Sequence, residues 1–364
     1  GGFGSGGGGG NSFGGGKGSS GKGGGRSSGG KGGSRYQNSN WGGGKGKGKG
    51  KPSQQASLPT KQATLTGHTD TVSCMEVCDT RSQLFSGSTD GSVKVWSWEQ
   101  GFQCVHTVSA DAPVEAILIF DAWLFAGTAA TQGAGGIRQG VIRAWHMDNG
   151  FEQTLEGHQG SIYCLAQGGA YLFSGGEDMG VKTWQFKESK FEPLINLPGH
   201  TSPIQDMKAV GTALISADRG GTVCFWDLST GAGTMQIVTE QRDLMALWLE
   251  ETYLFTASLD GKVKVWDPAG TMLHEQLVTN QHNQASGVTA MCVISDGGEA
   301  PVLVTSTQHS AMMMWTMPSF DKRGILAARA GHSDVVRCLA KGPGNSFFSG
   351  SMDNTIIVWE FMAQ

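Results

Sequence analysis

Seven tryptophans that recur at a near-constant interval constrain the fold of this chain more than any other feature. Each closes a short β-like run, and successive ones lie 39 to 49 residues apart. They are Trp96, Trp145, Trp184, Trp226, Trp266, Trp315 and Trp359. Four short strands with their turns need roughly 40 to 45 residues, whereas a helical repeat would space its apolar residues by three and four. The sequence therefore predicts an all-β chain of seven four-stranded units.

Three of these repeats share four polar or aromatic residues at a fixed spacing, with the serine ten and the aspartate six residues before the tryptophan. The sets are His68, Ser86, Asp90 and Trp96; His158, Ser174, Asp178 and Trp184; and His332, Ser349, Asp353 and Trp359. The pattern resembles the WD-repeat family. That resemblance implies a seven-bladed β-propeller in which indole, hydroxyl, imidazole and carboxylate hydrogen-bond in series. We therefore interpret these histidines as structural, and not as catalytic bases or metal ligands.

The other four repeats depart from this pattern. The fourth has His200 and Ser216 but Gly220 where the aspartate is expected, and the fifth has Thr256 and Asp260 without a Gly-His pair. The second and sixth match less well and carry insertions. We expect the blades of these two weakest repeats to rely on packing.

Closure of the ring needs a strand from elsewhere, because only five residues follow Trp359. An open ring would leave unpaired backbone edges. Residues 61–66 precede the first Gly-His pair, where the outer strand of a preceding repeat would lie. We expect them to complete the last blade, so that residues 61–364 form the propeller and residues 1–60 form a tail.

The tail differs from the propeller in charge and composition. Ten of the 27 basic residues and none of the 31 acidic ones lie in residues 1–61, which leaves 17 basic and 31 acidic residues beyond. Its low apolar content predicts disorder. Lysines alternating with glycine, together with isolated aromatics, suit an RNA-binding arm; a plain linker and an arm folded back on the acidic propeller are the alternatives. The candidate nucleic-acid contacts are Lys45, Lys47, Lys49, Lys51, Tyr36 and Trp41.

Catalytic and metal-binding signatures do not stand out. Glycine follows the tail lysines that imitate a phosphate-binding loop, where Ser or Thr is required. No apolar run approaches about 18 residues. The seven cysteines are scattered in alternating apolar segments, which indicates reduced core thiols in an intracellular protein of the nucleus or cytoplasm. We expect no enzyme activity, no small-molecule substrate, no membrane contact and no cofactor.

Three further segments carry a closer resemblance, which extends over residues 61–364. Residues 191–194, 318–324 and 350–356 are similar to the plant and algal CCCH zinc-finger WD-repeat proteins. In that group zinc fingers precede the propeller, whereas this chain has glycine and lysine there. Zinc is therefore expected only in a longer product, upstream of Gly1. The resemblance implies a function that is associated with RNA.

The candidate docking site is the channel mouth. The Gly-His loops and aspartate turns must share one face of the ring, and the innermost strands begin there. The candidate partner-binding residues are Ser73, Glu115, Tyr163, Gln205, Met245, Thr289 and Arg337, with Glu177 and Met352 in adjacent turns. Tyr163 and Arg337 are the expected anchors.

The sequence thus predicts a protein-interaction scaffold that is associated with RNA through the tail or an upstream finger. A substrate receptor of a ubiquitin ligase is the alternative. The Trp-Asp-x-Arg signature of such receptors is incomplete here, because no arginine follows at the required position after Trp226-Asp227 or Trp266-Asp267.

Overall fold

The computed structural model describes residues 58–132, 136–280, 282–298, 300–327 and 331–362. The predictions for the basic tail, including its aromatic and lysine contacts, fall outside the described residues. No helix in the described part of the chain has the length and apolar character that crossing a bilayer requires.

Short antiparallel strands account for almost all regular structure in the described residues, with one 3-10 turn at Asp79–Arg81. In chain order the strands are β1 (Thr60–Leu65), β2 (Val72–Cys78), β3 (Gln83–Ser88), β4 (Ser92–Ser97), β5 (Gln103–Ser109), β6 (Val114–Phe120), β7 (Trp123–Thr128), β8 (Thr131–Gln132), β9 (Arg138–His146), β10 (Glu152–His158), β11 (Ile162–Gly168), β12 (Tyr171–Gly176), β13 (Val181–Lys187), β14 (Lys190–Leu197), β15 (Ile204–Val210), β16 (Ala213–Asp218), β17 (Thr222–Asp227), β18 (Ala232–Val238), β19 (Leu244–Glu250), β20 (Tyr253–Ser258), β21 (Lys262–Trp266), β22 (Met272–Leu277), β23 (Val288–Ile294), β24 (Val302–Thr307), β25 (Met312–Thr316), β26 (Asp321–Leu326), β27 (Val336–Lys341), β28 (Ser346–Ser351) and β29 (Ile356–Glu360).

Seven sheets arrange these strands as the blades of a β-propeller, which confirms the predicted fold class. Each blade is an antiparallel meander, and the second has the extra short strand β8 paired with β9. The blades are blade 1 (β2–β5), blade 2 (β6–β10), blade 3 (β11–β14), blade 4 (β15–β18), blade 5 (β19–β22), blade 6 (β23–β26) and blade 7 (β27–β29 with β1).

Blade 7 takes its outermost strand from the beginning of the propeller. Strand β1 pairs antiparallel with β29, with Ala63 opposite Val358 and Leu65 opposite Ile356. Leu65 is buried in the same apolar cluster as Val358. The first and last strands of the ring therefore lie side by side in one sheet.

Glycines on the second strands explain how closely neighbouring blades approach. A Cβ atom on Gly87 would lie 2.6 Å from Val114 of blade 2, and one on Gly350 would lie 2.7 Å from Val72 of blade 1. The equivalent glycines of blades 2 and 3 would meet an isoleucine of the following blade at 2.8 Å. A larger side chain at these positions would force the blades apart.

The interior is apolar, and its cysteines match the sequence analysis with one exception. Met312, Met313 and Met314 are all buried, as expected for a strand covered on both faces. Six of the seven cysteines are buried or half-buried thiols, but Cys104 on β5 is exposed. The prediction that every cysteine is a core thiol is wrong at Cys104, because the outer strand β5 presents most of its side chains to solvent.

The meander defines two faces of the ring. The segments that contain His68, His158, His200 and His332 lie directly before the first strands, and with the turns between second and third strands they form what we call the top face. The turns that join first to second and third to fourth strands form the bottom face.

We expect removal of β1 to destabilise the whole ring. A chain that begins at residue 67 should melt about 10 °C or more below one that begins at residue 58, because β29 loses its ladder partner and the Leu65 site is exposed. Calorimetry measures the difference. Equal melting temperatures for the two truncations would contradict the closure.

Candidate partner-binding site

Buried hydrogen-bond relays fix the top face. In blade 1 the Trp96 indole N–H donates to Ser86 Oγ at 2.8 Å, Ser86 Oγ lies 2.8 Å from His68 Nε2, and His68 Nδ1 lies 2.9 Å from Asp90. The corresponding contacts in blades 3 and 7 are all between 2.7 and 2.9 Å. If each hydroxyl donates onward, the relay runs from indole to carboxylate through a neutral imidazole that is protonated on Nδ1.

The relays resemble the Ser-His-Asp arrangement of hydrolases but cannot work as one. Ser86, Ser174 and Ser349 are fully buried, and each hydroxyl oxygen accepts the indole N–H of its own blade. A substrate carbonyl has no path to such an oxygen. The arrangement satisfies polar groups whose burial without partners would cost about 1–3 kcal/mol each.

The ionisation of the first relay agrees with this structural role. Burial opposes the charge on Asp90, but hydrogen bonds from Ser92, the Thr69 N–H and His68 outweigh it and hold the pKa of Asp90 well below its usual range. Burial lowers the pKa of His68, although the hydrogen bond to Asp90 partly opposes that shift. Near neutral pH the pair is therefore a neutral imidazole beside a carboxylate.

Blade 4 contains a complete relay, although its sequence has Gly220 in the aspartate position. His200 Nδ1 lies 2.9 Å from Oδ2 of Asp218, and Ser216 connects His200 to the indole of Trp226. The expectation that this repeat lacks the carboxylate is therefore wrong. Asp218 ends strand β16, so a carboxylate two positions earlier in the chain reaches the same imidazole.

Blade 5 replaces the histidine with a glutamine. The Trp266 indole donates to Thr256 Oγ1 at 3.0 Å, and Thr256 donates to Oε1 of Gln241 at 2.5 Å. The amide nitrogen of Gln241 donates to Ser258 Oγ at 2.9 Å, and Ser258 contacts Asp260. A primary amide accepts on one side and donates on the other, as a neutral imidazole does.

The two weakest repeats have shorter polar networks. In blade 6 the relay stops at the bond from Trp315 to Thr305, which measures 3.1 Å. In blade 2, Ala126 pairs with Arg143 at the position where other blades carry the hydroxyl, and the Arg143 guanidinium lies over the Trp145 ring at 5.7 Å.

Substitution of Asp218 tests the blade 4 relay. Asp218→Ala leaves a buried imidazole N–H without an acceptor and should lower the free energy of unfolding by about 2–3 kcal/mol. Asp218→Asn keeps a carbonyl acceptor and should cost less. Chemical denaturation measures both, with Glu156→Ala as the control, which removes an exposed carboxylate outside the relays. A loss no larger for Asp218→Ala than for the control would contradict the assignment.

The central channel brings together seven of the nine candidate partner-binding residues. It forms a cavity of about 520 Å³ along the ring axis, lined by the first strands of the blades. The residues from the candidate set that line it are Ser73, Glu115, Tyr163, Gln205, Met245, Thr289 and Arg337. Glu177 and Met352 are not among the lining residues. Glu177 instead pairs with Arg138 at 2.9 Å, and Met352 is exposed.

A β-bulge accounts for the position of each of the seven. In blade 1 the pairing register shifts between Val72 and Cys74, which leaves Ser73 outside the ladder. The same shift occurs at the equivalent position of the other six first strands. A bulge bends its strand and redirects the extra side chain. Seven bulges therefore surround one channel.

Two of the seven residues also connect neighbouring blades. The Ser73 hydroxyl contacts the backbone oxygens of Gly87 and Val114, and Thr289 donates to the Val336 carbonyl at 2.7 Å. Their side chains are already engaged in the ring. Tyr163, Gln205, Met245, Glu115 and Arg337 supply the more adaptable part of the lining.

Arg219 is a lining residue that the sequence analysis missed. Its guanidinium lies over the Tyr163 ring at 5.6 Å and donates to Gln205 Oε1 at 2.9 Å. Across the channel, burial raises the pKa of Glu115 while Arg337 opposes the shift. The signal for Arg219 is its position seven residues before Trp226, the same spacing that Glu177 has from Trp184 and Met352 from Trp359.

Deeper in the channel the lining is also charged. Lys208 Nζ lies 3.1 Å from Asp206, and burial raises the pKa of Glu76 to about 7 although Lys208 lowers it. Among the described residues, no group of three or more His, Cys, Asp or Glu side chains is placed to hold a metal ion.

Fold and repeats together identify the class of protein. Residues 59–97, 150–185, 191–227, 248–267 and 325–360 match the family model described as WD domain, G-beta repeat. The segments between 97 and 150 and between 267 and 325, which contain the two weakest repeats, are not matched. The chain therefore contains WD repeats, which the structure arranges as the blades of a β-propeller.

Two relatives are similar to this chain over most of its length. Zinc finger CCCH domain-containing protein 17 of Oryza sativa subsp. japonica is 27% identical over 300 residues, which cover 82% of this chain and 65% of that protein. Zinc finger CCCH domain-containing protein 48 of Arabidopsis thaliana is 27% identical over 302 residues, which cover 82% and 66%. The match thus spans just under two thirds of each relative. The predicted likeness to CCCH zinc-finger WD-repeat proteins is confirmed, although this chain has no cysteine before Cys74.

A solved structure agrees on the fold. The crystal structure of the computationally designed Ika8 protein superposes with a TM-score of 0.58 at 23% identity, over 79% of this chain and 83% of that one. At this identity the likeness shows the propeller fold alone.

Proposed function

We propose that this chain is a non-catalytic scaffold that holds a peptide segment of a partner protein at the top mouth of the channel. The observation that carries the proposal is the set of seven β-bulges that surround one cavity. Such a ring is rigid, because every blade contacts two others, and a rigid site reduces the ordering cost of binding. WD-repeat propellers in general bind other proteins.

Tyr163 and Arg337 are the proposed anchors. Tyr163 offers an aromatic surface whose orientation is supported by Arg219, and tyrosine and arginine are enriched among residues that dominate binding energies. The relay histidines take no part, because each is buried with its two ring nitrogens already engaged. The mouth thus offers aromatic and charged contacts for recognition.

Substitution of both anchors tests this site. Tyr163→Ala with Arg337→Ala should reduce the partners recovered with residues 58–364 by about 30-fold or more, because either anchor alone is expected to contribute about 2 kcal/mol. Quantitative mass spectrometry of affinity-purified complexes makes the comparison. The control is Arg242→Ala, which removes an exposed arginine that does not line the channel. Full retention of every partner by the double variant would end the proposal.

RNA association is the second proposed property, and it concerns the tail. Its support is the single-sign charge of residues 1–61 and the word zinc finger in the names of the relatives. In this proposal Lys45, Lys47, Lys49 and Lys51 contact phosphates while Tyr36 and Trp41 stack on bases. The protein would then hold a partner protein beside an RNA, in the nucleus or cytoplasm.

The salt dependence of RNA binding tests the tail. With ten cations, a peptide of residues 1–61 should bind single-stranded RNA with a log–log salt slope no steeper than about −7. Replacing the four lysines between residues 45 and 51 with glutamine should reduce the slope by about three. Fluorescence anisotropy across a salt series provides the measurement. Binding that ignores salt would refute the proposal.

A ubiquitin-ligase substrate receptor has less support. Neither Trp226-Asp227 nor Trp266-Asp267 is followed by the arginine that completes the receptor signature. The proposed scaffold function does not depend on that signature.

A further inference from the structure

A second cavity lies on the bottom face, between blades 2 and 3. It has a volume of about 430 Å³, within the range of small-ligand pockets. Its walls come from the turn between β6 and β7, the turn between β11 and β12, and the hairpin of β13 and β14. The channel mouth opens on the opposite face, although Gln167 lines both this cavity and the channel.

Aromatic rings form most of this pocket, with Trp123 at their centre. Its ring lies 5.2 Å from that of Phe191, 5.8 Å from that of Phe186 and 6.1 Å from that of Phe125. The Phe191 ring stands nearly perpendicular to both Trp123 and Phe125, at 87° and 85°. Phe120 and Tyr171 also line the cavity. The pocket is therefore walled by rings that face different directions.

Part of this aromatic surface is open to solvent. Phe186 is 49% exposed, whereas Phe191 on the adjoining strand is buried. Phe191 is held in place by the side chain of Gln153 in blade 2, which accepts its backbone N–H at 2.8 Å and donates to its carbonyl at 2.7 Å. The walls are thus anchored across two blades while the cavity stays accessible.

One carboxylate stands among these rings. Asp121 is the one charged residue that lines the cavity, and Gln167 is the other side chain with a strongly polar group. The Gln167 amide already donates to the Gly169 carbonyl. Asp121 is exposed, and the described part of the chain offers it no ion pair or side-chain hydrogen bond. A purely apolar occupant would leave this carboxylate without a counter-charge.

We propose that this pocket binds the side-chain ammonium group of a lysine, free or methylated, on a partner protein. Ring faces attract cations through their quadrupole, and cages of several rings suit methylated ammonium groups. The apolar stem of the side chain packs against Phe186 and Phe191, and the charge lies near Asp121. The net charge of −14 left on residues 62–364, from 17 basic and 31 acidic residues, also favours a basic partner.

The test compares the binding of a cationic peptide with that of its neutral analogue. The probes are two pentapeptides with glycine on both sides of the central residue. In one the central residue is trimethyl-lysine, and in the other it is the neutral isostere that has carbon in place of the ammonium nitrogen. Titration into residues 58–364 is followed by NMR up to millimolar peptide. The trimethyl-lysine peptide should bind about tenfold tighter or more, which corresponds to about 1.4 kcal/mol, within the range of desolvated cation–π contacts.

Variants locate the binding site. Asp121→Asn and Phe186→Ala should each weaken binding of the cationic peptide by about fivefold or more. Asparagine tolerates the left-handed backbone of Asp121, at φ 54°, and Phe186 is half-exposed, so both variants should fold. Phe151→Ala is the matched control, because Phe151 contacts Trp123 without lining the cavity.

The double variant at Tyr163 and Arg337 should leave this binding unchanged, which separates the pocket from the proposed channel-mouth site. Equal binding of the two peptides would show an apolar pocket without cation recognition and would overturn the proposal. Absence of binding of both peptides at millimolar concentration would overturn it as well.

Discussion

The structure depends on one antiparallel pairing, between the first strand of the propeller and the last. Every other blade is continuous in the chain, but blade 7 is completed only when β1 lies beside β29. That pairing also brings Val72 against Gly350, so blades 7 and 1 meet as closely as the other neighbours do. If the ring were open, the seven first strands would not converge on one axis and their bulged residues would not share a cavity.

The hydrogen-bond relays show how much a fixed spacing of serine and aspartate before the tryptophan can predict. It identified three relays by residue number because the aspartate there lies in the turn after the second strand. In blade 4 the acceptor is Asp218 at the strand end, and in blade 5 an amide from Gln241 takes the place of the imidazole. What the blade requires is a donor or acceptor at a point in space, and more than one chain position can supply it.

The candidate site was predictable to a similar extent. Counting five residues on from the histidines of blades 1, 3, 4 and 7 identified four residues of the channel lining, and matching the other three blades by pattern identified the remaining three. The bulges that turn those residues inward depend on pairing between strands and left no spacing signal. Arg219 has the same spacing from its repeat tryptophan as Glu177 and Met352, so the sequence did carry a signal for it. The pocket around Trp123 was missed because its walls come from turns of two blades that are separated in sequence.

The closed ring can be tested through the register of its joining strands. Ala63 lies opposite Val358, so cysteines at these two positions should form a disulfide without displacing the backbone. Peptide mapping of the oxidised protein should recover a crosslink between residues 63 and 358, and the melting temperature should rise because the bond encloses nearly the whole propeller. The pair Ala63→Cys with Ile356→Cys is out of register and should not crosslink. Efficient crosslinking of the second pair, or of neither, would contradict the closure on which the account depends.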